Sequence, residues 1–279
     1  MAKKGKYIVG EAEVERIIEV VFDKRGMDFS GYSRASFLRR IQRITDQDSN
    51  GEFEGVIQRI TEDKQYFDQF VKEVTVNVTE MFRDPSFFLA IRKKVLPALA
   101  HHQKIRLWHA GCSTGEEVYS IATLLHETNL LERSVIHGTD LNSDVLKKAK
   151  SGVYSDKNIQ EHTANYQRSG GEGNFSDYYK SAYGNTVFKE SFREKMVFSE
   201  HNLVTDGSFG EFNLVMCRNV LIYFQKPLQS RVIRIFKESL APGGFLCLGS
   251  KESLMFAADH DAFEEVDASQ KIYRKKLVR

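Results

Sequence analysis

The chain is poor in cysteine and has no long apolar run. Its three cysteines, Cys112, Cys217 and Cys247, stand in apolar, strand-like contexts without a spacing pattern. So low and odd a count excludes a disulfide framework and a cysteine-based zinc site, and it predicts a reducing compartment. No stretch approaches the roughly 18 apolar residues of a membrane-spanning helix. The opening MAKKGKYIVGEAEVERIIEV lacks the apolar centre of a signal peptide. A cytoplasmic protein without membrane insertion is expected. The net charge is only +2 over 279 residues, which argues against nucleic acid as a bulk electrostatic partner. The eight histidines are scattered, and no Ser–His–Asp order is present. His109 and His137 fall on expected strands, where a core or supporting role is the reading. No metal site is expected, and a monomer is the default.

What is present is enough for one large domain or two smaller ones. The chain is 41% hydrophobic and 28% charged, so it can build a core and stay soluble. The first ~75 residues show only helical periodicity. Val14, Ile17, Ile18 and Val21 recur at helical spacing, as do Phe37, Leu38, Ile41 and Ile44. Residues 1–75 are therefore expected to form a small all-α domain. From about Ile105 strand candidates alternate with helices: IRLWHA, a helix from Glu116, SVIHGTD, a helix over SDVLKKAKS, KMVFSEHN, FNLVMCRN, a helix over KPLQSRVIRIFKESL, and GGFLCLGS. Such alternation predicts an α/β, Rossmann-like domain over residues 76–279 with a mostly parallel sheet. The Gly-, Ser- and aromatic-rich stretch at about 155–192 interrupts it and is expected to be a small inserted β-subdomain. Pro242 and Gly243–Gly244 are expected to stop the last helix ahead of its strand.

The stretch LWHAGCSTGEEVYS at 107–120 has the layout of a strand, a glycine-bearing turn and a helix start. Ligands of open α/β sheets bind at the carboxyl ends of the strands. A helix N-terminus normally attracts an anion, yet Glu116 and Glu117 stand there and would repel a pyrophosphate. They suit a ligand with positive groups, and S-adenosylmethionine carries a sulfonium and an α-ammonium. Asp140, closing VIHGTD, is placed to accept hydrogen bonds from ribose hydroxyls. Helix capping explains Glu116, Glu117 and Asp140 equally well one at a time; in this order, at strand ends, they favour a cofactor site.

Five ordered motifs then carry a resemblance: TVNVTEMFRDPSFF (75–88), AGCSTGEEVYSIA (110–122), GTDLNSDVLKKAKSGVY (138–154), HNL (201–203) and MCRNVLIYF (216–224). Together with GYSRASFLRRIQRI near the start, they resemble the chemotaxis receptor methyltransferases, the CheR family. The resemblance implies methyl transfer from S-adenosylmethionine to glutamate side chains of bacterial chemoreceptors, leaving S-adenosylhomocysteine. It places cofactor contacts on Asn77, Thr79, Arg83, Gly111, Glu117, Asp140, Asn202, Leu203, Arg218 and Asn219. It sets Arg83 and Tyr223 beside the transferred methyl group. The partners it implies are the cytoplasmic helices of chemoreceptors and, in some members, a receptor tail peptide gripped by the inserted subdomain.

The implied chemistry agrees with the missing triad. A glutamate is already an anion at neutral pH, so no general base is required. The enzyme has only to orient one carboxylate oxygen against the methyl group. Arg83 offers a planar fork of donors for that purpose and Tyr223 one hydrogen bond. Arg34, Arg39, Arg40 and Arg43 form a basic patch within an otherwise balanced domain. It is a solvated face, or nearby acids cover it, or it docks a glutamate-rich helical substrate of the kind the resemblance implies; nucleic acid ranks third, because the patch is small and no aromatic stacking platform stands beside it.

Overall fold

The computed structural model describes residues 7–48, 52–75 and 79–277. Two compact units emerge, Met1–Asn77 with Ile222–Gln229, and Val78–Leu221 with Ser230–Arg279.

The first unit is built on four helices, α1 (Glu11–Arg25), α2 (Arg34–Gln47), α3 (Phe53–Glu62) and α4 (Lys64–Thr75). Their apolar stripes meet in one core. Val14, Ile17, Ile18 and Val21 of α1 are buried, with Phe37, Ile41 and Ile44 of α2 and Phe70 and Val74 of α4. The segment Ile222–Gln229, distant in sequence, completes this unit. Phe224 meets the Tyr32 ring edge-on at 5.1 Å. The Ser33 N–H donates to the Tyr223 carbonyl at 2.7 Å, and the Gln225 N–H to the Gly31 carbonyl at 2.8 Å. Gly31 is required there, because a Cβ would stand 2.7 Å from the Leu228 side chain.

The second unit opens with α5 (Pro85–Ala90), which widens into a π-helical turn at Ile91–Val95 and closes as α6 (Leu96–Leu99). Pro97 lies just beyond the wide turn. It has no N–H to give to the carbonyl four residues back, and its ring crowds that carbonyl. The main sheet follows: β1 (Ile105–Ala110), α7 (Glu116–Glu127), β2 (Ser134–Asp140) and α8 (Ser143–Ser151). After the insert come β6 (Met196–Glu200), β7 (Phe212–Cys217), α11 (Lys226–Ser239) and β8 (Leu240–Leu248). The strand order is β6-β2-β1-β7-β8, continued by β10 (Ile272–Lys275) and β9 (Phe263–Asp267). The first five strands are parallel, and the last two run antiparallel. The α/β reading holds, but the C-terminal hairpin was not foreseen. The Pro242 expectation needs correction. The helix already ends at Ser239, and Pro242–Gly244 lies inside β8, where the register with β7 slips between Phe212 and Leu214. The residues act as a bulge that lets β8 enter the sheet rather than as a stop.

The insert is a three-stranded antiparallel sheet, β3 (Val153–Ser155), β5 (Asn185–Phe188) and β4 (Tyr179–Ala182), with α9 (Ile159–Arg168) and α10 (Glu190–Arg193). It shares the core of its unit. Phe82 meets Tyr166 and Phe175 edge-on, each at 5.4 Å, and Tyr119 lies 4.4 Å from Phe188. Beneath these rings Glu127, at the end of α7, accepts from the Tyr166 and Tyr178 hydroxyls and pairs with Arg92 in the π turn. Arg92 also donates to the Ser169 carbonyl at 3.0 Å. One carboxylate thus joins α7, the π turn and the insert. Removing it leaves a largely buried guanidinium without its charge partner. Glu127→Ala should cost about 3 kcal/mol, read as a lower urea midpoint at unchanged slope. A midpoint equal to that of the parent would show the network to be dispensable.

Candidate active site

The sheet order reverses at β1. The chain leaves β1 for β2 and β6 on one side and returns through β7 and β8 on the other. The carboxyl ends of β1 and β7 therefore flank a crevice of the kind that binds ligands in open α/β sheets.

The loop after β1 is bent by left-handed residues: Gly111 at φ 73°, Ser113 at φ 51° and Gly115 at φ 92°. At Gly111 a Cβ would stand 2.5 Å from Val220, so glycine is needed for both the angle and the space. The Gly111 and Cys112 N–H groups both donate to the Thr139 carbonyl at 2.8 Å, which ties this loop to the end of β2. Asp140 completes the tie. Its Oδ2 accepts the Ser113 N–H at 2.8 Å and its Oδ1 the Asn142 N–H at 3.1 Å. Burial raises the Asp140 pKa, and the N–H bonds from Asn142, Ser113 and Leu141 offset only part of that rise. Ser113 Oγ and Asn142 Nδ2 are buried without a hydrogen-bond partner among the described residues.

The two glutamates separate, because successive helical residues point about 100° apart. Glu116 is buried and takes the Thr114 hydroxyl at 2.6 Å; burial lifts its pKa. Glu117 turns the other way. Its Oε1 lies 2.9 Å from His109 Nδ1, and its Oε2 accepts from Arg218 Nη1 at 3.1 Å. Burial pushes Glu117 up, but the bonds and charges of His109 and Arg218 outweigh it and hold the group below the ordinary value.

Arg218, at the end of β7, is 2% exposed in its side chain. Besides Glu117 it donates to Asp84 Oδ2 at 2.7 Å and to the Arg83 carbonyl at 3.4 Å, and it stacks over the Phe87 ring at 3.8 Å. Asn219, also left-handed at φ 62°, gives its N–H to Glu252 Oε2 at 3.1 Å. The same buried carboxylate takes the Val220 and Gly249 N–H groups. Asn202 and Leu203 follow β6, and the adjacent His201 N–H donates to the Asp140 carbonyl at 3.2 Å.

The site residues expected from sequence thus fall into three groups. Gly111, Glu117, Asp140, Asn202, Leu203, Arg218 and Asn219 converge on the strand ends of one unit. Half-buried Thr79 belongs to the same unit. So does half-buried Arg83, held between Phe82 at φ 53° and Asp84 at φ 59°. Asn77 lies outside the described residues. Tyr223 and the α2 arginines belong to the helical unit. There Arg34 pairs with Glu15 at 2.6 Å. Arg40 donates to the Glu73 carbonyl at 2.9 Å and lies 5.5 Å from the Tyr223 ring centroid. Arg43 approaches Glu73 at 4.0 Å, and Arg39 is exposed. Acids of the same unit thus cover part of the patch. Sequence reasoning missed the parts played by Asp84 and Glu252, and it gave His109 a core or supporting role without naming Glu117 as its partner. A polar residue at the inward end of β1 was the one available sign of His109, and nothing marked Glu252.

Family comparison agrees with this geometry. Residues 77–272 match the model described as "CheR methyltransferase, SAM binding domain", and residues 12–75 match "CheR methyltransferase, all-alpha domain". The chain belongs to the CheR methyltransferase family. A Pseudomonas putida protein, Cher3, named a methyltransferase only provisionally, is 46% identical over 95% of this chain and 97% of its own length. The chemotaxis protein methyltransferase of Listeria monocytogenes is 31% identical over 84% of this chain and 87% of its own. Chemotaxis protein methyltransferase 1 of Pseudomonas aeruginosa is 32% identical over 85% and 88%. The chain is an S-adenosylmethionine-dependent methyltransferase. The residues present fit that cofactor: the unpartnered Ser113 hydroxyl and Asn142 amide beside the Asp140 carboxylate suit a ligand that donates and accepts hydrogen bonds, as a ribose does.

Gly111→Ala should keep the fold but cost about 1–3 kcal/mol of stability through backbone strain, read as a lower urea midpoint. It should also weaken S-adenosylhomocysteine binding in isothermal titration. Unchanged binding would show that the tightness of this loop does not matter to the ligand.

Proposed function

We propose that this CheR protein methylates glutamate side chains of bacterial chemoreceptors and forms methyl esters. The observation that carries the reading is how the titratable groups around the strand ends are committed. Cys112 and Cys217 are buried, which pushes their thiols well up. Glu117 is held by His109 and Arg218, and Glu252 by three backbone N–H groups. Such a site suits a nucleophile that arrives already ionised, and a carboxylate does.

Asn77, Thr79, Glu117, Asp140, Asn202, Leu203, Arg218 and Asn219 would hold the cofactor, with Asp140 on the ribose hydroxyls. When bound, S-adenosylmethionine supplies an electrophilic methyl group with a neutral thioether as leaving group. Arg83 would orient the substrate carboxylate with its guanidinium fork, and Tyr223 would donate one hydrogen bond to it. Neither moves a proton. The strained turn and the Arg218 staple support the role of Arg83, because a side chain that must orient gains from a fixed backbone. The α2 arginines, of which Arg39 and Arg43 are exposed, would receive a glutamate-rich receptor helix. A cytoplasmic location follows from a substrate of that kind.

The deciding experiment uses S-adenosylmethionine labelled in its methyl group and receptor-bearing membranes. Label that enters a membrane protein and leaves as methanol in mild alkali is a carboxyl methyl ester, as expected; label stable to alkali would sink the reading. Arg83→Ala should lower turnover about a hundredfold, the scale of a lost orienting contact, with the fold retained by circular dichroism. Tyr223→Phe keeps the ring beside Arg40 and should lower turnover about five- to tenfold.

Cofactor binding should also depend on pH with a definite sign. The folded pKa of Asp140 is raised, so acidification protonates it above the ordinary carboxylate value and weakens binding. Folding itself favours that protonated form, so protonating Asp140 does not unfold the protein. Glu117 has the opposite shift. Its contribution to stability is complete above its unfolded pKa and is lost only as pH falls through its lower folded value. Titration calorimetry across the acid range should show affinity falling before ellipticity does. Affinity in Asp140→Asn should start lower and lose that pH dependence; a variant that follows the parent curve would remove Asp140 from the ribose site.

A further inference from the structure

His109 has no part in the reaction as described so far, yet its placement is specific. It lies near the end of β1, 1% exposed. Its Nδ1 stands 2.9 Å from Glu117 Oε1. An ionised carboxylate only accepts hydrogen bonds, so Nδ1 carries the hydrogen. Nε2 is buried and has no hydrogen-bond partner among the described residues. The imidazole therefore has one available task, which is to donate to Glu117. The other carboxylate oxygen is held from the opposite side by Arg218. A glutamate has several rotatable bonds and loses considerable freedom when it is fixed. Here two donors, one on β1 and one just after β7, fix it in advance, and each oxygen keeps a lone pair.

We propose that His109 is a positioning residue of the cofactor site: its Nδ1–H, with Arg218, holds the Glu117 carboxylate ready for the positive groups of S-adenosylmethionine. This rests on the reading of Glu117 as a cofactor contact. The gain is preorganisation, since the ordering is complete before the ligand arrives. Supporting hydrogen bonds to ligand-holding side chains are worth about ten- to a hundredfold in affinity at metal sites, and about tenfold is expected here.

The test is titration calorimetry with S-adenosylhomocysteine, which binds without turnover, together with steady-state kinetics in S-adenosylmethionine. His109→Leu should raise Kd and KM about tenfold and leave kcat at saturation nearly unchanged. His109→Asn, whose amide nitrogen sits close to the Nδ1 position, should restore affinity, whereas the longer His109→Gln should not. In a Glu117→Gln background, His109→Leu should add nothing. If Glu117→Gln weakens binding and His109→Leu does not, His109 is a core residue and the proposal fails alone. If Glu117→Gln binds as the parent does, the cofactor reading of Glu117 fails and the proposal goes with it. Should His109→Leu not fold, the two amide variants decide: equal affinities would overturn the proposal.

Discussion

The site depends on the Arg218 guanidinium more than on any other group. It is almost fully buried, and an arginine cannot shed its charge by losing a proton. The surroundings therefore have to neutralise it. They do so from three directions: the Glu117 carboxylate on α7, the Asp84 carboxylate on the turn before α5, and the Arg83 carbonyl. The Phe87 ring covers its face. Removing any one partner leaves charge stranded in a poorly solvated place. A strand end, a helix start and a strained turn are thereby locked together, and Arg83 is carried on that turn.

Glu127 plays a similar part on the other side of α7, with the sign reversed. Its carboxylate is answered by Arg92 and by two tyrosine hydroxyls that belong to the insert. The two clusters fix α7 at both ends. The start of the helix presents Glu117, and its end anchors the inserted sheet. The aromatic contacts of Phe82, Tyr119, Tyr166 and Phe188 fill the space between. This explains how an inserted segment rich in Gly, Ser and aromatics belongs to the core of its unit.

Much of this architecture could be read from the chain alone. The 3.6-residue stripes of α1 and α2 and the strand–helix alternation after Ile105 are local patterns, and both describe the structure. Gly111, Glu117 and Asp140 were legible because each occupies a fixed place relative to a strand end. The closing hairpin β9–β10 was missed because FEEVD and IYRK are short and only weakly alternating. Pro242 was misread because a Pro–Gly–Gly run looks the same whether it ends a helix or bulges a strand. The Arg39 and Arg43 spacing did mark a shared helix face, but it could not tell that Glu73, thirty residues away, would answer Arg43.

The sequence by itself determined the fold class, the family and the cofactor. All of these follow from periodicities and short motifs, which are properties of neighbouring residues. Only the tertiary structure decided which charges meet. That Glu117 rather than Glu116 meets His109 and Arg218, and that Asp84 closes on the Arg218 guanidinium, depend on pairings between residues as far apart as Asp84 and Arg218. The physical reason is desolvation: a buried charge must find its partner wherever the fold brings one, and sequence spacing carries no record of that distance.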